Sequence, residues 1–168
     1  MLLMDAGADI DALPGECWST PLHLAVHFSF IATVEELLKR GALIDVFDSD
    51  DSTAIATAAA KGGIKTAQLL LSRGADVNTC HEVTPLCAAA KYRHENMVQL
   101  LFGKGALVHL ETLSGEPPLT NVVSGVVSET RMSDIKILIA HGADVPAALE
   151  YRHCLKRLDT VTRSLSHY

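Results

Sequence analysis

Apolar residues recur along this chain at positions i, i+3 and i+4, the spacing of one helix face. The segments that carry them alternate between an alanine-rich kind and a leucine-rich kind. The alanine-rich kind contains the sets Leu22, Ala25, Val26; Ile55, Ala58, Ala59; Leu86, Ala89, Ala90; and Leu119, Val122, Val123. The leucine-rich kind contains Val34, Leu37, Leu38; Ala67, Leu70, Leu71; Val98, Leu101, Phe102; and Ile135, Leu138, Ile139. The pattern predicts repeated pairs of short helices that each turn one face to a core.

Turn and capping residues divide these segments with a nearly fixed period. A Gly-Ala pair closes each leucine-rich segment, at spacings of 34, 33, 31 and 37 residues, and begins at Gly7, Gly41, Gly74, Gly105 and Gly142. Glycine supplies the left-handed backbone that ends a helix. Threonine caps and proline in the first turn favour helix starts at Thr20-Pro21, Thr53 and Thr84-Pro85. Because one helix pair cannot bury its apolar faces alone, we expect the pairs to stack.

The segment Thr20-Pro21-Leu22-His23-Leu24-Ala25 resembles the T-P-L-H-x-A signature of the ankyrin repeat, and Thr84-Pro85-Leu86 repeats its start in register. The resemblance covers residues 1 to about 146. It implies an all-α ankyrin-repeat solenoid of about four helix-pair repeats in a single domain over 1–168. The implied divisions are a partial repeat 1–13, repeats 14–47, 48–78, 79–110 and 111–145, and a C-terminal capping helix 146–168. In this family the signature histidine, here His23, braces the connection between units by hydrogen bonding.

Both ends of the predicted stack depart from the regular pattern. Residues 1–13 supply only the end of a second helix, so we expect upstream sequence, a truncated product, or a partner or second copy on that flank. Residues 146–168 predict a closing helix, with an amphipathic partner-binding helix as the alternative. Its apolar face contains Leu149, Cys154, Leu155, Leu158, Val161 and Leu165.

Charge and composition narrow the class of partner. The chain of 168 residues has a net charge of −6 from 14 basic and 20 acidic residues, which argues against nucleic-acid binding. The sequence has no apolar run long enough for a membrane span, and its start has no basic leader. No membrane partner is therefore expected. Its 4 cysteines lack the density of a disulfide scaffold. These features predict reduced thiols and a cytoplasmic or nuclear location.

The ankyrin resemblance implies that finger tips and exposed first-helix ends line a concave face that binds other proteins. On that basis the chain is predicted to be a non-enzymatic interaction scaffold or adaptor for a partner protein or extended peptide. Acidic tips would attract a basic segment, although the acidic run at 45–51 also suits a plain solvated loop. Phe28 and Phe30 have the alternative of packing under the next unit. The predicted partner-binding residues are Trp18, His27, Phe28, Phe30, Asp50, Asp51, Lys61, His81, Glu82, Tyr92, Arg93 and His94.

Enzyme chemistry finds little support in residue spacing. The 8 histidines and 4 cysteines lack the spacing of a zinc site, and no nucleotide-binding or catalytic motif stands out, so no metal, cofactor or catalytic residue is predicted. Two alternatives stay open. One is a substrate-recruiting arm of a larger enzyme or ubiquitin-ligase-type complex, and the other is an atypical enzyme using His27, His94 or Tyr92 in the groove.

The tail at 70–78 is similar to ankyrin segments that an asparaginyl hydroxylase modifies. The resemblance implies Asn78 as the acceptor. In that case the protein is a substrate of an oxygenase.

Overall fold

The computed structural model describes residues 9–12, 19–79, 81, 83–108, 110 and 138–142. Its helices are α1 (Pro21–His27), α2 (Ile31–Lys39), α3 (Ala54–Ala60), α4 (Ile64–Ser72), α5 (Pro85–Lys91) and α6 (Glu95–Gly103). Residues 138–140 are also helical. An isolated antiparallel bridge joins Phe47 and Thr53 at the base of one connection. The predicted alternation of short helix pairs is confirmed.

The helices form two layers. The first helices of neighbouring units contact one another in one layer, and the second helices do so in the other. Each first helix packs on its own second helix, and α3 also packs between α1 and α5. In the other layer α4 contacts both α2 and α6. This arrangement confirms the predicted all-α stack, in which adjacent units bury what one unit leaves exposed.

Threonine caps begin the first helix of all three described units. The hydroxyls of Thr20, Thr53 and Thr84 accept hydrogen bonds from the backbone N–H three residues later, at 3.5, 3.3 and 3.0 Å. Each threonine is buried and has extended backbone. The hydroxyl therefore satisfies an amide that would otherwise lack a partner in the first turn.

Second helices begin without a side-chain cap, after a left-handed residue. The φ angles at this position are 58° for Ser29, 67° for Gly62 and 67° for Arg93. The next residue in each unit returns its N–H to a carbonyl of the first helix, as from His94 to Ala89 at 2.9 Å. The three-residue bend that joins the helices thus has the same geometry in units whose sequences differ.

Leucine, isoleucine and alanine fill the core at the predicted positions. Leu22, Ile55 and Leu86 are at most 1% exposed on the first helices, and Leu37, Leu70 and Leu101 are at most 1% exposed on the second. The first helices bury small side chains. Ala58 and Ala59 on α3 and Ala89 and Ala90 on α5 are all buried. Close approach of these helices depends on that small size.

The glycine that ends each second helix is left-handed, as predicted. Gly74 has φ +94°, and a Cβ added there would meet no atom within 4 Å. Gly74→Ala is therefore expected to lower the free energy of unfolding through backbone strain alone, by about 1–2 kcal/mol.

Gly103 is a matched control for this substitution. It is the last residue of α6 and also faces open space, but it does not have a left-handed φ. Gly103→Ala is expected to raise the free energy of unfolding by up to about 1 kcal/mol. Urea denaturation of both variants measures the difference, and equal effects would contradict the assignment of the cost to backbone conformation.

Several predicted features fall outside the described residues. These are the partial repeat 1–13 apart from residues 9–12, the tip residues Trp18 and Glu82, most of the repeat 111–145, and the capping helix 146–168. Their placement stays a prediction.

Candidate functional site

A groove of about 530 Å³ crosses the first helices of three consecutive units. Corresponding positions of each unit supply its lining, because the units repeat. The floor contains Leu24, Thr57 and Ala88, and one wall ends in Phe28, Lys61 and Tyr92. The full lining is Ser19, His23, Leu24, His27, Phe28, Asp48, Asp50, Ser52, Thr57, Ala60, Lys61, Val83, Ala88, Lys91 and Tyr92.

The groove faces away from the core for a simple helical reason. Leu24, His27 and Phe28 follow one another at i, i+3 and i+4 on α1, while the buried Leu22 and Val26 lie on its other side. The groove therefore brings together five predicted partner-binding residues, which are His27, Phe28, Asp50, Lys61 and Tyr92.

Aromatic side chains stand exposed at the ends of the first helices. Phe28 is 60% exposed and Tyr92 is 54% exposed. Phe30 is 59% exposed and stacks on Phe28, with ring centroids 5.9 Å apart and planes at 25°. The alternative in which either phenylalanine packs under the next unit is wrong, because both rings lie at the surface.

Two lysines add positive charge to the same wall. Lys61 Nζ lies 3.3 Å from His27 Nε2 of the preceding unit, where the ammonium donates to the ring nitrogen. Lys91 Nζ lies 5.6 Å from the centroid of the Tyr92 ring, within the range of a cation–π contact. This wall thus alternates aromatic and cationic groups.

The acidic run at 45–51 builds the finger between the second and third helices of the chain. Asp48 accepts from the N–H groups of Asp50 and Ser52, each at 3.0 Å, which closes the tip. Asp51 has φ +53°, and its carboxylate lies 3.1 Å from Nδ1 of His81 on the next finger. Asp50 remains exposed at the groove. Both interpretations of this run, as a solvated loop and as an attractor for a basic segment, stay predictions.

His23 braces the connection between units, as the family resemblance implies. Its Nε2 lies 3.1 Å from the Ser52 carbonyl, which can only accept, so Nε2 carries the proton. In the neutral ring Nδ1 is then the acceptor for the Thr20 hydroxyl at 2.9 Å. Burial lowers the pKa of His23 below 6.5, while the Asp48 charge opposes that effect.

Arg93 and His94 lie outside the groove. They line a separate depression of about 310 Å³ with Gly62, Ile64, Glu95, Asn96 and Met97. His94 Nε2 donates to the Ala60 carbonyl at 3.0 Å. A Cβ on Gly62 would approach the His94 ring to 2.6 Å, so this ring and Gly62 pack together. The histidine thus joins neighbouring units, which sequence reasoning did not anticipate.

Asn78 belongs to a ladder of side-chain bonds between units. Its Oδ1 accepts from Leu107 N–H at 2.8 Å, and its Nδ2 donates to the Gly105 carbonyl at 3.2 Å. At the equivalent positions Asp11 accepts from Leu43 N–H at 3.0 Å, and Asp45 accepts from Asp76 N–H at 3.2 Å. Burial raises the pKa of Asp45, and the Asp76 N–H opposes this by stabilising the carboxylate. Asp11, Asp45 and Asn78 lie at equivalent positions after successive Gly-Ala pairs, so the repeat spacing in the sequence could have revealed this ladder.

Among the described residues no three histidine, cysteine or acidic side chains come together as metal ligands. Within the same part of the chain, every helix is too short or too polar to cross a bilayer. Cys87 is a buried thiol within α5.

Comparisons with known proteins agree with the stacked helix pairs, which define a repeat solenoid. The family profile for ankyrin repeats (3 copies) matches residues 1–81 and 45–112. The chain therefore belongs to the ankyrin repeat family, whose members are general protein-interaction modules and are typically non-enzymatic.

Relatives in curated collections share the repeats over part of their length. The chain is 32% identical over 108 residues to the B-cell lymphoma 3 protein homolog of Mus musculus, covering 63% of this chain and 23% of that protein. It is 38% identical over 111 residues to an ankyrin repeat, SAM and basic leucine zipper domain-containing protein 1 of Dasypus novemcinctus, covering 62% and 23%. A putative ankyrin repeat protein of Rickettsia felis is 36% identical over 107 residues, covering 60% and 47%. The chain thus spans less than half the length of each.

Proposed function

We propose that this chain is a non-enzymatic interaction scaffold that binds a partner protein or an extended peptide in the groove. The observation that carries the proposal is the exposure of Phe28 and Tyr92, at 60% and 54%, on the wall of a groove with Leu24 at its floor. Exposed aromatic side chains gain most when a partner removes them from water. Asp50 adds a negative charge on the finger side that favours a basic side chain of the partner.

A role as the recruiting arm of a larger enzyme or ligase complex is a second candidate. It is supported by relatives that are much longer than the matched segment, one of which carries SAM and leucine zipper domains in its name. In that case the groove would bind the substrate protein, and other subunits would carry the activity. A cytoplasmic or nuclear location is proposed with both candidates.

The test is affinity capture with mass spectrometry from native extract, using the wild-type chain and a Phe28→Ala/Tyr92→Ala variant. Loss of the two rings is expected to weaken capture of a groove partner roughly tenfold or more. Leu107→Ala is the matched control, since Leu107 is 54% exposed and lies outside the groove. Circular dichroism checks that all variants keep their helices.

The pattern of recovered proteins separates the candidates. A partner lost only with the double variant supports binding in the groove. A multi-subunit enzyme that is retained by every variant, together with a groove-dependent protein, supports the recruiting arm. Equal capture by all three chains would overturn the groove assignment.

We also propose Asn78 as a hydroxylation site. The support is its position in a family-like tail, together with a carboxamide that bonds two neighbouring backbone groups. Incubation with an asparaginyl hydroxylase and peptide mass spectrometry is expected to show the gain of one oxygen atom on the peptide that contains Asn78. Asp45 occupies the equivalent ladder position and serves as the unmodified internal comparison.

A further inference from the structure

The groove carries charges of opposite sign on its two sides. Asp48 and Asp50 precede the first helix of their unit, whereas Lys61 and Lys91 lie at the far ends of α3 and α5. A seven-residue first helix is about 10 Å long, so its length separates the acidic side from the basic side. The lining thus contains two carboxylates and two ammonium groups.

Hydrogen bonding decides which of these charges face a partner. One carboxylate oxygen of Asp48 accepts hydrogen bonds from two backbone N–H groups of its own finger. Asp50, two residues later, is exposed. Lys61 has one contact to His27, and an ammonium group has three donors. A uniformly basic segment would therefore meet Asp50 favourably and would be repelled by Lys61 and by Lys91.

The spacing of the units sets the length of chain that fits. Stacked helices lie about 8–10 Å apart, and an extended peptide advances about 3.3 Å per residue. A segment of about six or seven residues therefore crosses the three units. Its successive side chains point to opposite sides, so residues at odd separations face opposite walls of the groove.

From these observations we infer that the groove binds an extended segment of a partner protein that carries acidic and basic side chains at odd separations. Its acidic side chains face Lys61 and Lys91, and its basic side chains face Asp50. This inference rests on the proposed function and adds to it the charge order of the partner.

A random library of peptides of about nine residues, displayed on phage, tests the charge order directly. The library is selected on the wild-type chain after depletion on a Lys61→Glu/Lys91→Glu variant. Recovered peptides are expected to pair acidic and basic residues at odd separations. Recovery of uniformly basic or uncharged peptides, or of none at all, would overturn the inference.

A charge swap on one recovered peptide gives the second readout. Fluorescence anisotropy at low salt is expected to show binding about tenfold weaker with the Lys61→Glu/Lys91→Glu variant, because two favourable pairs become repulsive. Replacing the acidic residues of that peptide by lysine is expected to restore binding to the variant. Failure of this restoration would contradict the proposed contacts.

Lys65→Glu is the matched control, since Lys65 is exposed on α4 and does not line the groove. It is expected to leave the affinity for the recovered peptide unchanged within about twofold. A peptide that responds equally to both charge variants would contradict the inference. The proposed function has a separate test. It fails when capture of a natural partner is insensitive to Phe28→Ala/Tyr92→Ala, whatever the peptide library gives.

Discussion

Replacing Leu70 by alanine is expected to lower the free energy of unfolding by about 2–5 kcal/mol. Leu70 is completely buried on α4, the second helix that packs against both α2 and α6. Truncation removes buried apolar surface and leaves a cavity that the close-packed neighbours fill only in part. In a stack of units the loss at a central position also weakens both adjoining interfaces.

Leu43→Ala makes the same chemical change at a surface position. Leu43 is 57% exposed, so its truncation is expected to change the free energy of unfolding by less than about 0.5 kcal/mol. Urea denaturation followed by circular dichroism measures both variants. A similar cost at the two sites would show that the second-helix layer is not the core described above.

A second large effect is expected at His23, whose removal should alter both stability and its dependence on pH. His23→Ala takes away the donor to the Ser52 carbonyl and the partner of the Thr20 hydroxyl. Losing partners of buried polar groups costs about 1–3 kcal/mol, and the missing ring adds a cavity.

The sign of the pH effect follows from the lowered pKa of His23. Between that lowered pKa and the usual value of 6.5, the unfolded chain binds a proton that the folded chain does not. The stabilising contribution is therefore fully present above 6.5 and is lost as the pH falls toward the pKa of the folded state.

Denaturation at several pH values from about 7.5 down to 5.5 measures this loss in the wild-type chain. The His23→Ala variant is expected to show a smaller slope over the same interval, because it lacks the histidine whose pKa is lowered by folding. His27→Ala is the control, since it removes an exposed histidine from the same helix. An unchanged slope after loss of His23 would contradict its assignment as the group that titrates.

The fold was predictable because its determinants are local and repeat. The caps Thr20, Thr53 and Thr84 mark the starts of the first helices, and Gly41 and Gly74 mark the ends of second helices, so each helix pair carries its own outer boundaries. Left-handed Ser29 and Arg93 were not foreseen. Their conformation follows from the tight bend between packed helices, and neither residue type signals it.

The candidate site was predictable only in part, because groove residues are placed by contacts between units. The equivalent positions of Phe28, Lys61 and Tyr92 in consecutive repeats predict that they share one face, and all three line the groove. It also assigned His94 to the binding face, although the bond to Ala60 and the contact with Gly62 place that ring in a separate depression. Such pairings depend on residues more than thirty positions apart, which a single sequence does not connect.

The ladder formed by Asp11, Asp45 and Asn78 has a consequence for how such a protein can change its specificity. The side-chain bonds of these three residues fasten adjoining units just after each Gly-Ala pair. The segment from Gly74 to Thr84 is already two residues shorter than that from Gly41 to Thr53, while the helices that follow them keep the same length. Insertions and deletions at the tips can therefore reshape one rim of the ligand surface over evolutionary time while the alignment of the helices underneath is preserved.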